Sequence, residues 1–262
     1  MINSRVIEIA DAYNKFAPFY DALMEEPYQK FYRERIKRVL HSCITKGSKI
    51  LDIGCGTGFP SIFLARELGC NVLGIDISEE MINRAKENAP QKLENNLSFR
   101  LLSADELHLL REKDFDYVTS IYGPLNYVDD LEKVLWEIYN RMKRGGYFIA
   151  SFYSKYSCAR LKDKEYLQHL SKGIQFLPHY IGNKKVEIKL YSTHELVSLI
   201  ENYFPLLSVQ GIGFIPFMLS LEKSEELIKN LDYYLKLEEN LASRDPFINL
   251  GMDILTIAKK VD

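Results

Sequence analysis

Apolar positions recur at helical spacing from Asn3 to Phe16 and again from Tyr28 to Ile44, with Pro18 and Pro27 between the two stretches. A proline inside a helix removes one hydrogen bond and clashes with the preceding turn, so this preface predicts two helices rather than one. After Gly47 the period changes. Short apolar runs at Lys49 to Ile53, Asn71 to Ile75, Leu97 to Leu101, Phe115 to Ile121 and Tyr147 to Phe152 read as buried strands. Amphipathic stretches at Phe59 to Leu68, Glu79 to Asn88 and Asp129 to Met142 read as helices between them. Strand and helix in strict alternation imply right-handed crossovers, and hence a doubly wound α/β core with a mostly parallel sheet.

Beyond Phe152 the rhythm breaks. Gly173 to Tyr180 and Lys184 to Tyr191 read as two strands joined at Gly182-Asn183, a pair suited to a tight hairpin. A helix from His194 to Tyr203, a strand from Leu206 to Phe214, a charged helix from Glu222 to Ala242 and a strand from Met252 to Ala258 follow, which brings the sheet to seven strands. The chain divides accordingly into a helical N-terminal segment (1–45), an α/β core (46–152), an inserted cap (153–192) and a segment that completes the sheet (193–262). Because the hairpin interrupts the alternation just after the fifth strand, it is expected over the carboxyl edge of the sheet, where open α/β folds bind ligands.

Composition narrows the class of partner. The 262 residues carry 34 Lys plus Arg against 36 Asp plus Glu, a balance that offers no global field for a phosphate backbone and makes nucleic acid the weaker partner. Apolar residues make up 47%, enough for a large core, and no apolar run approaches the roughly 20 residues of a bilayer span. The first residues contain Arg5, Glu8 and Asp11 and no apolar h-region, so a cytoplasmic location is expected. Cys43, Cys55, Cys70 and Cys158 form no CxxC pair and stand apart from the five histidines, so no metal site is expected.

The chemistry is concentrated in ILDIGCGTGFPSIFLA, residues 50–65. A strand ends at Ile53, glycines follow at positions 54, 56 and 58, and a helix begins; such glycines permit a sharp turn and close approach of a ligand to the backbone. A nicotinamide fingerprint needs glycine or alanine where Phe59 stands, which argues against that cofactor. Asp52 would repel a pyrophosphate but attract an ammonium, directly or through water. Asp76, at the end of the second strand, can accept from both hydroxyls of an unphosphorylated ribose. A nucleoside with an amino-acid tail satisfies both acids.

These motifs come in a recognisable order. LDIGCGTG, then GIDIS (74–78), SADEL (103–107), FDYVTSIYGPLNYV (115–128) and RMKRGGYFIAS (141–151) resemble the class I S-adenosylmethionine-dependent methyltransferases over roughly residues 45 to 152. The resemblance implies a Rossmann-like fold, S-adenosylmethionine as cofactor with S-adenosylhomocysteine as product, and methyl transfer. Carried over by position, Asp52, Gly54, Cys55, Gly56, Thr57 and Gly58 would cradle the methionine moiety. Asp76 would hold the ribose, and Ile77 and Met81 would border the adenine. Asp105 would accept from the adenine amino group beside Ala104 and Glu106, while Ile121 and Tyr122 would flank the sulfonium.

The resemblance also implies that the Tyr-rich segment AYNKFAPFYD of residues 1–45 is a lid, with Tyr20 against the cofactor and Tyr13 and Phe16 toward the acceptor, and aromatic faces there would attract a sulfonium. Asn126 and Tyr127 are expected at the acceptor pocket, and Tyr127, His179 and His194 are the candidate bases if the acceptor arrives protonated. The fourth strand lacks the Asn/Asp-Pro-Pro-Tyr signature of enzymes that methylate planar amines. A small-molecule acceptor with an N or O nucleophile is therefore expected. The alternatives are a tRNA, rRNA or protein methyltransferase, supported by Arg141, Lys143, Arg144, Lys184 and Lys185, and a non-catalytic cofactor-binding protein. Leu227, Leu231 and Leu235 at four-residue spacing fit packing on the chain's own cap or a homodimer.

Overall fold

The computed structural model describes residues 4–173 and 176–261. Two helices, α1 (Ser4–Leu23) and α2 (Pro27–Cys43), precede β1 (Lys49–Ile53), α3 (Phe59–Leu68), β2 (Asn71–Asp76), α4 (Glu79–Asn88), β3 (Leu97–Leu101) and β4 (Phe115–Ser120). Next come α5 (Leu131–Arg141), β5 (Met142–Tyr153), α6 (Lys164–Ser171), the hairpin β6 (Phe176–Ile181) and β7 (Lys184–Lys189), and α7 (Thr193–Glu201). The chain closes with β8 (Leu206–Ile212), α8 (Ile215–Met218), α9 (Glu225–Lys229), α10 (Leu231–Leu241), α11 (Phe247–Leu250) and β9 (Asp253–Lys259).

Seven strands form one sheet in the order β3-β2-β1-β4-β5-β9-β8. The first five are parallel, whereas β9 runs antiparallel to both β5 and β8. The order reverses between β1 and β4, and a ligand crevice opens at such a reversal. Helices cover both faces. One core joins Leu51, Ile53 and Val118 to α5 and α7 through Leu135, Ile138 and Leu196, and the other joins Ile50, Val72 and Ile149 to α2 and α3 through Ile36, Leu40 and Leu64.

Three local expectations are corrected. The first helix passes through Pro18 to Leu23, because Ala17 is fully buried and Tyr20 lines a cavity; this packing outweighs the roughly 3 kcal/mol a proline costs within a helix. Pro27 marks the real break and occupies the first position of α2, where no N–H is required. The charged C-terminal helix is two helices, divided at Asn230, whose side-chain amide reaches back to the Glu226 carbonyl and competes with the backbone ladder. Its Leu227 and Leu235 are buried against Phe31 and Phe214 of the same chain. In the hairpin, the strand expected from Gly173 begins at Phe176, and residues 174 and 175 lie outside the described residues.

The hairpin packs on α1. Ile9 and Ala12 of α1 share a buried cluster with Leu177, Ile181, Val186 and Ile188 of the hairpin and Tyr127 of the core. Together α1 and the hairpin roof the carboxyl ends of the strands.

Candidate active site

The turn after β1 is shaped by backbone chemistry. Gly54, Gly56 and Gly58 all have left-handed φ, at 70°, 53° and 93°, a region that disfavours every residue with a Cβ. Around Gly56 nothing lies within 4 Å of where a Cβ would sit, and the backbone faces an open cavity. Gly54 and Cys55 donate their N–H groups to the Ile75 carbonyl at 2.8 and 2.9 Å, which pins the loop to the end of β2.

Asp76 completes that corner. Its two carboxylate oxygens accept from the N–H groups of Gly56 and Ser78, both at 2.9 Å. Burial nevertheless raises its pKa above the usual carboxylate range. Each oxygen keeps a second lone pair for a hydroxyl donor.

A cavity of about 340 Å³ runs along this edge. Its floor is formed by Gly54, Cys55, Gly56, Thr57, Asp76, Ile77 and Met81, with Ala104 and Asp105 at one end and Ile121 and Tyr122 at the other. Its roof is the inner face of α1, from Val6 and Ile9 through Tyr13 to Tyr20, with Met24 just past the helix end. Tyr127 closes the side, and the Tyr13 hydroxyl donates to the Tyr127 hydroxyl at 3.0 Å. Burial pushes the phenols of Tyr13, Tyr20, Tyr122 and Tyr127 well above their ordinary pKa, so all four are neutral donors at physiological pH.

Tyr122 stands out. It has a left-handed φ of 73° although it is not glycine, and its N–H is held by the Ser151 hydroxyl at 2.9 Å. Among the described residues, its own buried hydroxyl has no hydrogen-bond partner. A buried, unpaired phenol on a cavity wall costs stability unless a ligand group meets it.

Several expected site residues lie elsewhere. Asp52 is fully buried and absent from the cavity wall; its oxygens accept from Ser61 at 2.6 Å and Thr119 at 2.8 Å, tying β1 to α3 and β4. Burial lifts its pKa to about 6 despite those two donors. Gly58 packs behind the wall toward Ile62, Phe99 and Ala85, and Glu106 lies outside it. Asn126 is fully buried and spends its amide on the Lys189 carbonyl (2.6 Å) and the Tyr153 N–H (2.9 Å), joining the hairpin to β5. Phe16 packs in the lid against Tyr20 and Gly182. His179 stacks on Tyr153 with ring centroids 5.4 Å apart, outside the cavity wall, and burial lowers its pKa to about 4. His194 is exposed in the first turn of α7.

Sequence patterns missed Arg33. It enters the cavity from α2, with its guanidinium over the Phe59 ring at 4.4 Å and beside Tyr122, whose phenol feels its charge. No local signal marks it, because only the packing of α2 on α3 turns position 33 toward the glycine loop. Phe59, read as an obstacle to one cofactor, is part of the wall and meets Tyr122 edge to face at 6.5 Å.

A family model described as a methyltransferase domain matches residues 44–201. The demethylmenaquinone methyltransferase of Listeria welshimeri is 31% identical over 152 residues, which cover 56% of this chain and 62% of that protein. The chain thus spans about three fifths of the length of that relative. Among solved structures, an S-adenosylmethionine-dependent methyltransferase of Thermotoga maritima, described as a possible histamine N-methyltransferase, has a TM-score of 0.62 at 20% identity and covers 95% of this chain and 99% of its own. A methyltransferase structure from Listeria monocytogenes, also described as S-adenosylmethionine dependent, has a TM-score of 0.60 at 19% identity, covering 87% and 99%. At these identities the structural likenesses speak for the fold alone. The family match implies S-adenosylmethionine as the cofactor, with S-adenosylhomocysteine as its product. The chain belongs to the class I S-adenosylmethionine-dependent methyltransferases.

Proposed function

We propose that the chain transfers a methyl group from S-adenosylmethionine to a small-molecule acceptor by in-line displacement. The observation that carries this reading is the cavity in which the glycine turn, Asp76 and Asp105 face α1. Asp76 takes the ribose hydroxyls, since both its oxygens are oriented by backbone donors and retain lone pairs. Asp105 and Ala104 take the adenine edge, Ile77 and Met81 border its face, and Gly54, Cys55, Gly56 and Thr57 lie under the methionine chain. Arg33 and the unpaired Tyr122 hydroxyl supply a cation and a donor for the methionine carboxylate.

S-adenosylmethionine supplies a methyl group made electrophilic by its sulfonium. This chain's residues align, shield and exclude water. Tyr13 and Tyr127 present paired hydroxyls to the cavity and orient an acceptor rather than deprotonate it, because both phenols are held protonated. The acceptor is therefore a nucleophile whose lone pair is available near neutral pH. The roof of α1 admits a small molecule more readily than a folded RNA or protein. Of the basic residues that favoured those larger acceptors, Arg141 is buried against Glu137 and Lys143 pairs with Asp116.

Incubation with methyl-labelled cofactor and a metabolite extract, followed by mass spectrometry, tests this function. One labelled small molecule is expected. Label appearing only in RNA or protein would replace the reading.

A further inference from the structure

The middle of α1 meets the nucleoside side of the cavity at a residue that touches no ligand space. The Asn14 side-chain carbonyl accepts from the Ser78 hydroxyl at 2.7 Å and from the Glu80 N–H at 3.2 Å. Ser78 is fully buried and has three tasks at once. Its N–H donates to Asp76 at 2.9 Å, its hydroxyl oxygen caps α4 by accepting from the Met81 N–H at 3.1 Å, and its hydroxyl proton goes to Asn14. One oxygen on the roof is thus hydrogen-bonded to the loop that orients the ribose carboxylate. Among the described residues, the further polar ties between α1 and α4 lie at the surface: Asp21 meets Arg84 at 3.7 Å and Asn88 at 3.4 Å, long contacts that contribute little.

The roof also covers much of the cavity. Val6, Ile9, Tyr13 and Tyr20 of α1 face Gly54–Thr57, Asp76 and Ala104 across it, so lifting α1 widens the way in and out for a nucleoside. Lifting α1 breaks the Asn14 contacts and leaves the Ser78 hydroxyl and the Glu80 N–H to find water instead. The two events are therefore linked.

We propose that Asn14 is a positioning residue that latches α1 to the ribose-binding loop, so that cofactor exchange waits on its release. This rests on the assignment of Asp76 to the ribose. The chemistry of the latch is an oxygen acceptor at the N-terminus of α4, a place that also welcomes negative charge, so aspartate can stand in for asparagine.

Rapid-mixing measurements of binding and release of radiolabelled S-adenosylhomocysteine test the latch in wild type, Asn14→Ala and Asn14→Asp. Loss of two neutral hydrogen bonds predicts that Asn14→Ala raises the dissociation rate about tenfold. The association rate rises with it, since the roof is open more of the time, and affinity changes less than either rate. Asn14→Asp returns both rates to within about threefold of wild type, on the same hydrogen-bond scale. An unchanged dissociation rate in Asn14→Ala overturns the latch. A dissociation rate that rises alone also overturns it, since that is the signature of a damaged ribose site. Should Asn14→Ala fail to fold, an Asn14→Asp protein with both rates raised tenfold would overturn it equally. Failure of wild type to bind S-adenosylhomocysteine would count against the cofactor assignment instead.

Discussion

Gly56 donates its backbone N–H to the Asp76 carboxylate at 2.9 Å, so the glycine turn after β1 and the acid that ends β2 form a single unit. A ligand that touches one is held in register with the other. Asp76→Ala removes the acceptor for a ribose and also the partner of the Gly56 and Ser78 N–H groups. Cofactor affinity is expected to fall by at least about tenfold, the scale of a charge-assisted hydrogen bond. Calorimetry with S-adenosylhomocysteine measures it, and an unchanged affinity would refute the ribose assignment.

Arg33 predicts a difference between two ligands. Arg33→Ala should weaken S-adenosylhomocysteine, which carries a carboxylate, by about tenfold on the scale of a hydrogen bond to a charged group. Adenosine, which carries none, should bind as before. Equal losses for both ligands would place Arg33 in the scaffold rather than on the methionine carboxylate.

If the hydroxyls of Tyr13 and Tyr127 position the acceptor, Tyr127→Phe should lower kcat/KM about fivefold, as for one neutral hydrogen bond. The shape of the pH profile between about 6 and 9 should stay as in wild type, because both phenols are already protonated there. A limb of the profile that vanishes with the hydroxyl would show Tyr127 acting as the base.

Gly54→Ala and Gly47→Ala make a matched pair. Both glycines are left-handed, with φ of 70° and 76°, so each alanine incurs roughly 1 kcal/mol of backbone strain. At Gly47 there is open space, whereas at Gly54 the new Cβ would lie 2.3 Å from two Pro124 carbons. Denaturant unfolding should show Gly54→Ala less stable than Gly47→Ala by about 1–3 kcal/mol, the range for overpacking. Equal stabilities would mean that the Pro124 turn yields freely.

Glu238 ties the C-terminal helices to the core, accepting from the N–H groups of Gly213, Phe214 and Ile215 at 2.9, 3.0 and 3.2 Å. Burial raises its pKa to about 7 in spite of those donors and Arg35. Between its unfolded value near 4.5 and about 7, the folded protein keeps a proton that the unfolded chain has released, so this group's contribution to stability falls as pH rises. Glu238→Gln removes that dependence, and the stability of the variant minus that of wild type should grow by up to about 3 kcal/mol from pH 4.5 to 7. Unfolding curves across that range that run parallel would exclude a raised pKa.

The sequence by itself determined the order of strands and helices from β1 to β5, because each carries its own hydrophobic period. It also determined the glycine turn and Asp76, since a left-handed turn and the acid ending β2 are local properties of the chain. Only the tertiary structure decided what faces the cavity. Asp52 stands two residues before the first glycine, yet Ser61 and Thr119 from two other elements claim its oxygens and draw it into the core. Arg33 has no motif around it, and reaches the site because α2 packs on α3. Pro18 reads locally as a helix end, but burial of Ala17 and the fit of Tyr20 carry α1 across the cavity as its roof. Periodicity fixes the direction of the backbone, while the partner that a polar side chain finds depends on elements distant in sequence.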